Sequence, residues 1–397
     1  MNTLPVFFTM DNAVQNYAWG SPHAFTELFE LANPDQKPQA EIWMGAHPKA
    51  SSRIEIHGEK QCLNQFVREN PVAVLGQQTS ERFGELPFLA KFLAAHQALS
   101  IQVHPSKNQA HHGFHKENQQ GIALDAPERN YKDPNHKPEL VYALTPFLAM
   151  NGFRPFDEIL ELLELINLPA INQLIEQTQA PSNEKGLECF FSALLALEGE
   201  AKRTAITQLL AYIDDKQGHA LFGLIGDLHL QYPDDIGIFA PLLLNVITLA
   251  PGEAMFLEAC TPHAHIKGTA IEIMANSDNV LRAGLTPKHI DIDELVTSTL
   301  FLPSLKFWLT SRPEVDGCAL HYPIPVDDFN FSLYQSPREQ AVEVHSAEIV
   351  ISVDAPVELT HEHGERLVLA KGQSAFIPAY ARSYWVSSGG AVARVYC

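Results

Sequence analysis

The hydrophobic period changes twice along this chain, and that change limits the architectures it can adopt. Up to about Phe153 the apolar residues fall in short extended runs broken by Gly, Pro and Asn, and Phe88 to Ala95, Gln97 to His104 and Leu140 to Leu144 read as strands. From Pro155 to Ala240 the spacing becomes helical: Ile159, Leu160, Leu162, Leu163, Leu165 and Ile166 recur on one stripe, as do Phe190, Leu194, Leu195 and Leu197. Asp157 and Ser182 stand where helix caps are expected. Beyond Leu242 the strand texture returns. A turn at Pro251-Gly252-Glu253 leads into Ala254 to Leu257, and Phe329 to Tyr334, Glu348 to Val353, Arg366 to Ala370 and Ala391 to Val395 follow as strands. Many short, evenly spaced strands suit a closed or double-sheet antiparallel architecture such as a jelly roll. The expected fold is mainly β with a helical insertion. Residues 1–153 and 241–325 form one β unit, 154–240 the helical domain, and 326–397 a smaller C-terminal β-barrel.

Charge narrows the function. Lys plus Arg number 27 against 47 Asp plus Glu, a formal net charge of −20 over 397 residues. Nucleic acid and anionic membrane surfaces need basic patches, so neither is expected as a partner. An anionic small molecule would be repelled at long range unless a local group of Lys, Arg or metal reverses the field. The five cysteines (Cys62, Cys189, Cys260, Cys318, Cys397) are scattered without a CxxC pair, which fits a reducing cytoplasm. No basic residue precedes the apolar stretch near the N-terminus, a poor signal peptide, and Ile238 to Leu249 is too short to span a bilayer. A soluble, cytoplasmic protein is expected. No GxGxxG or Walker-type loop is present, which argues against nucleotide chemistry.

Three segments could carry chemistry. In Ser100-Ile101-Gln102-Val103-His104, strand alternation sends Ser100, Gln102 and His104 to one face and the two apolar residues to the other. Inside a barrel such a polar face needs a metal or ligand to satisfy it; on an exposed strand it needs only water. Tyr131 to Leu140, YKDPNHKPEL, gathers Asp133, His136, Lys137 and Glu139 and places Glu139 where a loop enters a strand. An ordinary charged loop would read the same way. From Pro262 to Lys288, His263, Glu272, Asp278, Arg282 and Lys288 follow one another; the run suits an anion site, or a solvated salt-bridge surface.

These segments have a family resemblance. YKDPNHKPEL resembles the signature decapeptide of the type I mannose-6-phosphate isomerases, and HAHIKGTAIEIMANSDNVLRAGLTPK resembles their second long signature. NYAWGS and AEIWMGAHPKASS are similar to the family's opening segments. The likeness covers roughly the first three-quarters of the chain; the last stretch matches in texture only. One residue departs: where the family usually has Tyr two positions after the ligand His, this chain has His265.

The resemblance implies cupin-type barrels, of which the one built from 1–153 and 241–325 would be catalytic. It implies one Zn²⁺ per chain on Gln102, His104, Glu139 and His263, a donor set that also suits Mn²⁺ or Co²⁺. It further implies aldose–ketose isomerisation of mannose 6-phosphate to fructose 6-phosphate through a cis-enediol. Glu272, Lys137, His136 and Asp278 become candidates for proton handling, and Arg282 for stabilising the developing anion. Ser100, Lys91 and Lys288 become contacts for sugar or phosphate. A monomer is expected. The alternative reading is a non-catalytic metal-cupin that binds sugar phosphates. His361-Glu362-His363 imitates a metal pair and is read as a surface turn; His111, His112 and His115 are read as a mobile loop.

Overall fold

The computed structural model describes residues 4–216, 218–305 and 309–397. A 10-stranded antiparallel sheet system carries Phe88–Ala95, Glu139–Ala143, Phe147–Phe153 and the 13-residue strand His263–Ala275, which pairs with all three. Its inward side chains, among them Leu93, Val141, Phe147 and Met255, form a buried core of their own. A 7-stranded sheet and a 4-stranded sheet from the C-terminal part stack face to face, with Val350, Val357, Leu359, Tyr384 and Val392 between them.

Strand pairing does not follow chain order. Phe8–Thr9 pairs with Ser374–Ile377, and Glu314–Asp316 and Ala319–Tyr322 lie at the other edge of that same 7-stranded sheet. One continuous core then runs from Phe66, Phe88 and Phe92 on one side to Phe331, Ile349 and Phe376 on the other. The two β regions are thus joined by apolar packing as well as by the chain.

Between Phe153 and Leu244 the chain is helical, from Phe156–Ile166 through Glu184–Leu195 to Ala240–Leu243. The apolar stripe read at Ile159, Leu163 and Ile166 is buried, as are Phe190 and Leu194, in a core shared with Val103, Met150 and Leu281. Neither expected cap serves. Asp157 lies within the first turn behind Pro155, and the cap of Glu184–Leu195 is Asn183, whose side chain accepts from the Gly186 N–H. A larger departure concerns His111, His112 and His115, which sit on a regular helix, Lys107–Gln119, instead of a loop. A reciprocal capping box between Ser106 and Gln109 starts it, and Tyr131 packs against Gly113 so closely that an added Cβ would lie 2.2 Å from the ring. Among the described residues no helix is long and apolar enough to cross a membrane.

The helical region also fixes one loop of the β system. The Asp235 carboxylate accepts from Gly237 N (2.7 Å), Leu285 N (2.9 Å) and Thr286 N (3.1 Å), clasping the segment that carries Lys288. Gly284, at φ +127°, lets that segment approach Gly237, where a Cβ would meet the Gly237 Cα at 2.8 Å. Asp235→Ala strands these amides, so a loss on the order of 3 kcal/mol is expected from urea unfolding. A loss below about 0.5 kcal/mol, the size of an ordinary surface change, would show that water replaces the carboxylate.

Candidate metal centre and active-site cleft

His104, Glu139 and His263 come from three different strand ends and meet in the interior, each 1–2% exposed. Glu139 opens the strand Glu139–Ala143 and His263 opens His263–Ala275, while Gln102 pairs with both His263 and Arg282 across the ladder. Of the expected strand Gln97 to His104, only Gln102–Val103 has regular pairing.

Each imidazole is oriented by its far nitrogen. His104 Nδ1 lies 2.8 Å from the Asn279 carbonyl oxygen and His263 Nδ1 lies 3.0 Å from the Thr261 carbonyl oxygen. A carbonyl only accepts, so both Nδ1 atoms carry the proton and both Nε2 lone pairs are free. They face the Glu139 carboxylate at 3.4 Å and 3.5 Å, and His104 Nε2 is buried without a hydrogen-bond partner. Burial, helped by the Lys137 ammonium, lowers the His104 pKa to about 4, so the ring is neutral at ordinary pH. For Glu139, burial works the other way, but the Lys137 ammonium (2.8 Å) overcomes it and holds the carboxyl well below the usual carboxylate range. Two imidazoles and one carboxylate, converging with an orphaned nitrogen, fit a zinc ion, and Gln102, opposite His263 in the ladder, lines the same space.

A feature of the long strand brings a further acid to the same place. The ladder with Phe147–Phe153 shifts register between His265 and Lys267, just before Gly268 at φ +125°. A bulge of this kind flips the alternation of side chains. Odd-numbered His263 and His265 and even-numbered Glu272 therefore line one chamber of about 60 Å³, with Glu41, Lys91 and Lys137. Lys91 is fully buried and bonded to Glu272 (2.8 Å) and Glu41 (3.4 Å); burial opposes its charge, yet these carboxylates, with Glu139, raise its pKa. Glu41 also accepts from Trp43 Nε1 at 2.7 Å. His265 Nδ1 is buried without a partner, 3.7 Å from Glu272 Oε1, and burial lowers its pKa.

The chamber opens into a cleft of about 660 Å³ whose lining includes Ser100, Gln102, Lys91, Asp278, Arg282 and Lys288. Lys49, Lys132 and Lys137 add further cations. Arg282 and Lys288 form no ion pair among the described residues, and burial lowers both pKa values, with Arg282 adding its repulsion at Lys288. Asp278 is held at the rim by Lys49 (2.9 Å) and His47 (3.6 Å). His136 is absent from the lining of both spaces, and its Nε2 is bonded to Asp328 at 2.9 Å near the C-terminal sheet. The His361-x-His363 pair stays outside too: His361 bonds the Ala381 carbonyl and His363 is exposed.

Several residues escaped the sequence reading. Glu41, Trp43, His47 and Lys49 lie in AEIWMGAHPKASS, where the alternation of Glu41 and Trp43 on a buried strand was the available signal. Asn279, fully buried, donates to the carbonyls of Asp133 (2.7 Å) and Asn135 (2.8 Å), accepts from Lys132 N (2.6 Å) and orients His104 through its own carbonyl.

The comparisons with known proteins agree with one another. The chain matches the phosphomannose isomerase type I catalytic domain over residues 7–156 and the helical insertion domain of that type over 165–244. Residues 319–397 match the mannose-6-phosphate isomerase cupin domain, where the sequence had offered only texture. Mannose-6-phosphate isomerase of Salmonella typhimurium is 52% identical over 387 residues, covering 97% of this chain and 98% of that one. The chain belongs to the type I phosphomannose isomerase family. Within this family the human mannose-6-phosphate isomerase is 37% identical over 386 residues, covering 89% of this chain and 88% of its own. A solved structure from Salmonella typhimurium, bound to its substrate fructose 6-phosphate and to zinc, superimposes with a TM-score of 0.94 at 51% identity over 99% of both chains. A zinc-bound holo mannose 6-phosphate isomerase gives the same TM-score, identity and coverage. The type I phosphomannose isomerase fold, mainly β with a cupin domain and a helical insertion, is thus the fold of this chain.

Two outcomes follow from the geometry. Asn279→Ala should weaken zinc binding about 10- to 100-fold, read by competition with a chromophoric chelator; unchanged affinity would deny Asn279 its orienting role. His47 has its pKa lowered from 6.5 to about 4, chiefly by burial. The unfolded chain therefore takes up a proton that the folded one refuses, so stability falls as pH drops from 6.5 toward 4. His47→Asn should make that part of a Tm-against-pH curve shallower, with His104 still contributing, and a slope equal to the native protein's would contradict the assignment.

Proposed function

We propose that this chain interconverts mannose 6-phosphate and fructose 6-phosphate at one zinc ion held by Gln102, His104, Glu139 and His263. The observation that carries the reading is the orphaned, buried His104 Nε2 beside Glu139 and His263, under a cleft lined with cations. Arg282 and Lys288 suit the phosphate and the charge that develops on the sugar oxygens, because each gains from an anion that no carboxylate among the described residues supplies. When bound, zinc supplies a Lewis acid that polarises substrate oxygens.

Glu272 is the group best placed to move the proton. Lys91 engages its Oε2, leaving Oε1 toward the chamber, so the carboxylate can take the C2 proton and return it at C1 through a cis-enediol. Lys137 holds Glu139 in place and can assist at the oxygens. Asp278 sits at the rim and suits positioning of Lys49 better than proton transfer, and His136 is engaged by Asp328 away from the chamber. Ser100, 3.4 Å from Gln102 Nε2, lines the cleft as a hydroxyl for the sugar. The five free thiols support a cytoplasmic setting, and we take the chain to act as a monomer.

The test is turnover of mannose 6-phosphate by purified protein before and after chelation. Activity should vanish with the metal and return with zinc. Binding of the sugar phosphate without turnover by zinc-loaded protein would replace this reading with that of a binding protein. Glu272→Gln should lower kcat by about 100-fold or more while zinc stays bound, and a kcat within a few-fold of native would move the base elsewhere.

A further inference from the structure

The helix Lys107–Gln119 carries three histidines that the metal centre does not use. His111, His112 and His115 lie toward the outside of this helix, all three exposed. His111 and His115 stand four residues apart and so share one face of the helix. Their Nε2 atoms point at each other across 3.2 Å, with ring centroids 4.4 Å apart. We propose that His111 and His115 form a second, bidentate metal site for a borderline divalent cation such as Zn²⁺, Ni²⁺ or Cu²⁺.

The spacing carries the argument. Two zinc–imidazole bonds of about 2.0–2.1 Å at a tetrahedral angle place their nitrogens about 3.3 Å apart. The observed 3.2 Å therefore matches a chelate without backbone movement. In the metal-free protein one ring donates its Nε2–H to the other; on binding the cation that ring carries its proton on Nδ1 instead, so both Nε2 lone pairs face the metal and no net proton is lost. Water completes the coordination, since the pair faces solvent.

The surroundings favour a cation. The two lysines of this helix are turned elsewhere: Lys107 bonds the Asn135 side chain at 2.5 Å and Lys116 lies 3.4 Å from Glu294. A net charge of −20 raises the local concentration of any cation. The helix is also well held, by the Ser106 capping box and by the Gly113–Tyr131 contact, so the pair is pre-organised. His112 is on a different face and takes no part. Imidazole nitrogens select zinc, nickel and copper over magnesium and calcium, which prefer oxygen. With two ligands in water instead of three or four in the interior, this site is the weaker one and fills after the buried centre.

The experiment is equilibrium dialysis of zinc-loaded protein against micromolar free zinc, with bound metal counted by elemental analysis. Native protein should hold about two zinc ions per chain and the double variant His111→Ala, His115→Ala about one, while His112→Ala behaves as native. Turnover of mannose 6-phosphate should be the same in all of them, which separates this site from the buried centre. The proposal is overturned if native protein takes up no ion beyond the first, if the double variant keeps the extra ion, or if His112→Ala loses it. Far-ultraviolet circular dichroism of each variant checks that the helix is intact, so that a lost ion reports on the imidazoles.

Discussion

The ladder built on His263–Ala275 is the constraint on which the site depends. This strand pairs with four others and supplies His263 at one end and Glu272 near the other. Were its alternation regular, those two side chains would face opposite sides of the sheet, and no single chamber could contain both. The irregularity at His265–Lys267, with Gly268 in a conformation that other residues resist, reverses the parity between them. A Cβ at position 268 would lie 2.5 Å from the Pro146 carbonyl oxygen, so backbone contact as well as dihedral preference reserves the position for glycine. Folding and chemistry are specified here by the same few atoms.

Electrostatics follow a similar economy. The chain as a whole is strongly acidic, yet the cleft is lined by Lys49, Lys91, Lys132, Lys137, Arg282 and Lys288. Most acidic groups are exposed, and salt screens their reach to about 8 Å under physiological conditions. Charges inside the cleft act through a less polarisable medium and are felt more strongly by anything bound there. Lys49 and Lys137 each have one carboxylate partner, and Lys91 has two, Glu41 and Glu272, so it orients a carboxylate instead of attracting an anion. Arg282 and Lys288 keep their positive charge available.

Much of this was legible in the sequence, for physical reasons. Phe88–Ala95 and Ala254–Leu257 coincide with the strands read from alternation and turn residues, and Ile159, Leu163 and Ile166 of the expected stripe form a buried helix face, while Leu165 is exposed. Those segments bury a regular pattern, so the pattern survives in the letters. Lys107–Gln119 was missed because it buries little more than Ala110, Gly113 and Glu117, and its start is marked by side-chain hydrogen bonds and not by apolar periodicity. Ser106 and Gln109 spell that capping box, which was there to be read. Gln97 to His104 looked like a strand but is mostly irregular, since its backbone bonds go singly to His265 and Gly284. His136 entered the candidate site through the family resemblance, yet its ring bonds Asp328, because successive residues in a loop need not share a direction. The contribution of Asn279 is geometric and leaves no trace in spacing.

The pairing of Phe8–Thr9 with Ser374–Ile377 has a consequence for how the chain reaches this structure. Phe8 stands opposite Phe376, so nearly the whole polypeptide lies between two residues that become neighbours in one sheet. During synthesis the first strand has nothing to pair with until the last have emerged, and meanwhile it is an unpaired edge. Closing so long a loop costs entropy that is recovered only when the C-terminal sheet forms. The first strand can therefore take its place in the 7-stranded sheet only once the C-terminal strands have been made.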